Sequence, residues 1–166
     1  MFRSFFGRGA YLRFAPLLWS EMFAELGRRA GGWRESGCFL LTDRAGDQRT
    51  VTRIVYYDDL DPASLRGDIR LDAAAYGRLW DLCDRYEARV IGDVHTHGGT
   101  YVCQSSTDRE NPMISRAGHI ALLVPHLASR QASPREVGVH RYDGAGDWED
   151  SYAADAARRL YVGRFA

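Results

Sequence analysis

The apolar residues of this chain change their period several times, and each change marks an element. In "PLLWSEMFAELGRRA" Leu18, Met22, Phe23 and Leu26 recur at helical spacing. Pro16 suits a first helical turn, and Gly31 and Gly32 end the pattern. A helix with one buried and one solvated face is predicted there, preceded by an extended piece over residues 10–14. Cys38, Phe39, Leu40 and Leu41 then form an apolar run of strand length. "DRAGDQ" supplies a turn, and "TVTRIVYY" is β-branched and aromatic. The pair predicts an antiparallel hairpin, and "DDLDPASLRGD" reads as the loop that leaves it.

The second half repeats this grammar. "LDAAAYGRLWDLCDRYEAR" carries an apolar stripe through Ala75, Leu79, Leu82, Cys83 and Tyr86, with Asp72 placed to cap the helix start. "VIGDVHTH" and "GHIALLVP" read as strands, the second ended by Pro125. "EVGVHRYD" reads as an edge-like strand, and "DSYAADAARRLY" as a closing helix. The predicted order is helix, two strands, helix, three strands, helix. That order implies a mixed α/β (α+β) fold, with a central sheet flanked by helices. At 166 residues, one domain over residues 1–166 is expected.

Composition adds exclusions. The 22 basic and 22 acidic residues cancel, which argues against nucleic-acid binding driven by a basic surface. All the basic residues are arginine. Two causes are open: a GC-rich coding sequence, or avoidance of an amine that a conjugation system can modify. Cys38, Cys83 and Cys103 are an odd set with no CxxC spacing, which suits a reducing compartment better than a disulfide framework. "MFRSFFGRGAYLRF" has no continuous apolar core of a secretory leader, and no apolar run reaches the ~20 residues that span a bilayer. The expectation is a cytoplasmic protein with neither nucleic acid nor membrane as partner.

Candidate chemistry concentrates in "IGDVHTHGGTYVCQSSTDRENP". On a strand, residues i and i+2 face one side, about 6.7 Å apart, so His95 and His97 project together. Gly98 and Gly99 allow a sharp turn. Ser105 and Asp108 are three apart, a spacing that places both at the start of a helix or tight turn. Taken alone, Ser-x-x-Asp reads as a capping box and His-x-His as chance. Together they offer two imidazoles and a carboxylate, a donor set that zinc favours. Three protein ligands leave one tetrahedral position open, as in catalytic zinc sites. Such chemistry needs a further carboxylate to carry a proton, and a hydroxyl beside the metal can stabilise an oxyanion. Cys103 is a possible additional sulfur ligand. His119, His126 and His140 read as structural or surface residues.

These residues resemble the JAB/MPN (JAMM) metalloprotease family, in its bacterial branch. The resemblance rests on His95-Thr96-His97, seven residues from 98 to 104, then Ser105-Ser106-Thr107-Asp108. It extends through "DRENPMISRAGHIALLVP" and covers about residues 10–142. It implies a cytidine-deaminase-like fold with a largely antiparallel central sheet, Zn2+ held by His95, His97 and Asp108, and Ser105 beside the oxyanion. The family places its general base on the strand after the first helix. "ESGCFLLT" resembles that stretch and puts the role on Glu35. Gly98 stands where family members usually have proline, and Cys38 and Thr42 fill positions that are usually glycine.

The resemblance implies a zinc-dependent isopeptidase that cuts after the C-terminal glycine of a ubiquitin-like protein, in deconjugation or in precursor maturation. Activating and conjugating enzymes of the same bacterial pathway would then be partners, and some bacterial relatives of this kind suggest antiphage defence. Related members suggest an alternative, release of an amino acid or peptide from a sulfur-carrier protein or cell-wall fragment. A noncatalytic scaffold is the third reading, disfavoured by the intact ligand set and Glu35.

Overall fold

Pro16 opens the first helix where the pattern requires it. In the computed structural model, which describes residues 9–164, β1 (Leu12–Phe14) leads into α1 (Pro16–Ala30). The leader reading of residues 1–8 lies outside the described residues, as do residues 165–166. The helix α1 buries Trp19, Met22, Phe23, Leu26 and Ala30. Trp19 thus joins the predicted stripe, while Leu18 stays half-buried. Gly31 takes φ 59° and returns its N–H to the Gly27 carbonyl, a left-handed helix cap that glycine adopts without strain.

The predicted hairpin is β2 (Gly37–Asp43) with β3 (Arg53–Tyr56), paired antiparallel with Phe39 opposite Val55. The segment read as a loop begins with a short helix, α2 (Tyr57–Leu60), which buries both its end residues. Asp72 caps α3 (Ala73–Arg85) by accepting the Ala75 N–H at 2.7 Å. Ala75, Leu79 and Cys83 are buried as predicted, but Leu82 is half-buried and Tyr86 is exposed.

After α3 come β4 (Ala88–Thr96), the short helix α4 (Ser106–Glu110), β5 (Ile120–Val124) and β6 (Gly138–Tyr142). The edge-like reading of β6 is corrected by β7 (Trp148–Ser151), which pairs outside it and is anchored by Trp148 packing on Tyr142 at 4.9 Å. The closing helix is therefore shorter than predicted. It is α5 (Ala153–Arg159), and its end runs into β8 (Leu160–Val162), which pairs with β1 in a small parallel sheet.

The main sheet has the order β3-β2-β4-β5-β6-β7. Only β4 and β5 run parallel; every other neighbouring pair is antiparallel. The result is a mixed α/β fold with a largely antiparallel sheet flanked by helices. One face packs Leu40, Val94 and Leu122 with α1. The other packs Phe39, Leu41, Tyr57 and Val90 with α3. Each fully buried side chain of this size stabilises the fold by roughly 1.5–3 kcal/mol. No helix of the described residues is long and apolar enough to cross a membrane.

An irregularity in β4 decides what the sheet presents. Leu40 pairs with Gly92 but Leu41 with Val90, so the register slips by one residue. Ala88 and Val90 point toward α3, whereas Ile91 and Val94 point toward α1. A bulge changes the parity of everything beyond it. Here it returns Asp93, His95 and His97 to the α3 side, where they line a cavity.

Candidate metal centre

Strand β4 delivers the two histidines at its C-terminal end. Gly37 of β2 lies opposite His95. Beyond it Thr96 donates its N–H to the Ser36 carbonyl, and Ser36 donates its N–H to the Thr96 hydroxyl. Glu35 directly precedes Ser36 of this pair in the chain. Glu35 is half-buried and lines the same cavity, whose volume is about 440 Å³.

His95 and His97 are both buried, with their Nε2 atoms 3.1 Å apart. Asp108 comes from α4 and completes the group, with Oδ1 3.5 Å from His95 Nε2 and Oδ2 3.5 Å from His97 Nε2. All three ligand atoms fall within 4.8 Å of one another. Zinc binds such atoms at 2.0–2.2 Å, which puts tetrahedral neighbours roughly 3.4 Å apart. The observed separations and the donor types therefore fit one metal ion.

Capping box and ligand group are the same structure. Ser105 Oγ accepts the Asp108 N–H at 3.1 Å, and the Asp108 carboxylate accepts the Ser105 N–H at 2.7 Å. The Ser105 hydroxyl also donates to Asp108 Oδ2 at 2.8 Å. The cap thus sets the rotamer that turns the carboxylate toward the imidazoles.

Electrostatics follow from this crowding. Burial disfavours the His95 imidazolium, but the adjoining Asp108 and Asp93 carboxylates outweigh it and hold its pKa up at about 9. Burial would raise the Asp108 pKa, yet hydrogen bonds to His95 and His97 keep it well below the usual carboxylate range. A bound cation would take over the role of those protons.

The loop between β4 and α4 is fastened to the sheet. Gly99, at φ 61°, accepts the His126 N–H at 2.7 Å, and Leu127 donates its N–H to the His97 carbonyl. The Val102 carbonyl runs so close over β6 that a methyl group at Gly138 would sit 2.0 Å from it. Buried His140 takes the same carbonyl at Nε2, 3.1 Å away, and Asp150 at Nδ1, 2.8 Å away. Tyr101, from this loop, lies parallel to the His97 ring at 6.1 Å and is 58% exposed.

Every residue singled out for the chemistry, Glu35, His95, His97, Ser105 and Asp108, meets in this one cavity. Cys103 does not belong to the ligand group among the described residues; it contacts Tyr152 instead. His140 is structural, as read, and His126 is half-buried. Sequence reasoning missed Asp93, which is 2% exposed and accepts from His119 Nε2 at 2.6 Å. His119 is thus a neighbour of the site rather than an isolated core residue. The available signal was an acidic residue inside an apolar strand two positions before a histidine.

Fold and site together define a mixed α/β protein with a His-His-Asp group able to hold one metal ion. No protein-family model matches the sequence. The fold is shared with a solved protein from Desulfitobacterium hafniense, with a TM-score of 0.63 and 16% identity over 93% of this chain and 94% of that one. It is also shared with a protein from Salinibacter ruber, with a TM-score of 0.57 and 16% identity over 86% and 90% of the two chains. A JAB1/MPN domain protein from Archaeoglobus fulgidus gives a TM-score of 0.48 and 13% identity over 91% and 96%.

Proposed function

We propose that this chain is a zinc-dependent peptidase of the JAB/MPN type, cutting the bond that follows the C-terminal glycine of a ubiquitin-like protein. The observation that carries the reading is the convergence of His95, His97 and Asp108 in a cavity that Glu35 also lines. The motif spacing in the sequence supports it independently.

The residues divide the work by position. His95, His97 and Asp108 would hold the ion. Zinc in such a site supplies a water of lowered pKa and an electrophile for a carbonyl. Glu35, in the wall of the same cavity, takes a proton from the attacking water and passes it to the departing nitrogen. Ser105, whose single hydroxyl proton rests on Asp108, would turn that proton toward a developing oxyanion at the cavity wall. An extended tail of the substrate would pair with an open strand edge. Activating and conjugating enzymes of the same pathway are the partners this reading implies.

The test is direct. Purified protein is assayed for zinc by mass spectrometry and for cleavage of a ubiquitin-like protein fused through its C-terminal glycine. Zinc near one equivalent, with cleavage lost in Glu35→Gln, is expected. Absence of zinc binding, or equal cleavage by the variant, overturns the reading.

A further inference from the structure

Asp93 is a second buried carboxylate, and burying one without partners is costly. Its neighbours come from three separate stretches of the chain. His119, directly before β5, places Nε2 2.6 Å from Oδ1. Tyr57 of α2 donates its hydroxyl to Oδ2 at 3.2 Å. The third neighbour is His95, two residues along β4 on the same face, whose Nδ1 lies 3.8 Å from Oδ2. The chain makes room for this arrangement: a methyl group at Gly37 would stand 2.3 Å from the Tyr57 ring.

The proton assignments follow from what each nitrogen faces. His119 Nδ1 is buried with no hydrogen-bond partner among the described residues. An unpaired acceptor costs less there than an orphaned N–H, so the proton shared with Asp93 belongs to Nε2. Asp93 thus has two fixed donors, and its remaining acceptor capacity is turned toward His95 Nδ1. His95 presents its other nitrogen, Nε2, to His97 and Asp108. A histidine gives a lone pair from one nitrogen when the other carries the proton, and the partner of that proton sets ring and tautomer.

We propose that Asp93, clamped by His119 and Tyr57, is a positioning residue that fixes His95 as the Nδ1–H tautomer, with its Nε2 lone pair aimed at the metal. This rests on the metal-binding reading above and adds to it an outer carboxylate–histidine pair. The clamp matters because a carboxylate free to rotate would not choose between the two ring nitrogens. Asp93 acts through His95 and does not reach the ion.

Zinc affinity of the full chain, measured by competition with a chromophoric chelator, tests the proposal. Asp93→Asn keeps the size but removes the charge, and is expected to weaken zinc binding ten- to a hundredfold, with folding checked by circular dichroism. Tyr57→Phe, which loses only one hydroxyl, is expected to weaken it a few-fold. A folded Asp93→Asn protein that binds zinc as tightly as the wild type overturns the proposal and leaves the metal site standing. A wild type that binds no zinc removes the metal site, and the proposal with it. If Asp93→Asn does not fold, nitrogen-15 spectra of histidine-labelled, zinc-loaded wild type decide. A proton on His95 Nδ1 supports the role; a proton on Nε2 with zinc on Nδ1 overturns it.

Discussion

The Nε2 atoms of His95 and His97 stand 3.1 Å apart, each 3.5 Å from an oxygen of Asp108. Three donors at these separations match the spacing of ligands around one zinc ion. Wild type should therefore bind one equivalent of zinc, and His95→Ala, His97→Ala and Asp108→Ala should each bring it close to zero by mass spectrometry. Because a ligand that binds only the folded state stabilises it, zinc at a hundred times its Kd should add about 2.7 kcal/mol to unfolding. A chelator should abolish that gain in a thermal melt.

Protons compete for the same place. In the metal-free protein His95 is held at about 9, above its ordinary 6.5. A raised imidazole pKa stabilises the fold fully below about pH 6.5 and loses that contribution as pH rises through 9. Urea midpoints of chelator-treated protein should therefore fall across this window. Zinc affinity should move the opposite way, rising roughly tenfold per pH unit as one proton is released on binding.

Glu35 lines the cavity but is not one of the three ligand residues. Glu35→Gln should keep wild-type zinc content and lower kcat by about 10²- to 10⁴-fold, the usual contribution of a general base. Steady-state cleavage of the ubiquitin-like fusion, with metal analysis of the same preparation, checks both halves.

Ser105 has two duties that one substitution should expose together. Ser105→Ala removes the N-cap of α4 and the hydroxyl that donates to Asp108. Loss of such a cap costs about 1 kcal/mol, readable by chemical denaturation. Zinc affinity should fall as well, because Asp108 loses the contact that sets its rotamer. A surface serine of α4, Ser106, changed to alanine serves as the control.

The loop carrying the carboxylate depends on a missing side chain. A methyl group at Gly138 would meet the Val102 carbonyl at 2.0 Å, and backbone does not yield as a flexible side chain does. Gly138→Ala should destabilise the protein by about 1–3 kcal/mol and loosen zinc, since the displaced loop runs directly into Ser105 and Asp108. Paired measurement of denaturant midpoint and zinc affinity tests this.

Much of this was readable from the chain because the signals are local. The spacing of Met22, Phe23 and Leu26, the cap at Asp72 and the apolar and β-branched runs of the hairpin each predict an element from neighbours within a turn or two. The ligand set was legible for the same reason, all three residues falling within fourteen positions. What escaped depends on distant partners. Trp148 belongs to a strand only because Tyr142 and β6 receive it, and β8 exists only against β1. The role of Asp93 needs His119 and Tyr57, 26 and 36 residues away. No pattern along the sequence pairs an acid with such neighbours.

The slipped register in β4 works as a parity switch. Ahead of it even-numbered residues look toward α3; behind it odd-numbered ones do. Removing a single residue at 91 or 92 would not so much shorten the strand as turn its far end over. Three ionisable side chains would be driven among the aliphatic residues beneath α1, and Val94 would surface in the cavity in their stead. The location of the chemistry in this molecule is thus inherited from a break in the strand's rhythm, and insertions or deletions nearby should be tolerated only in pairs.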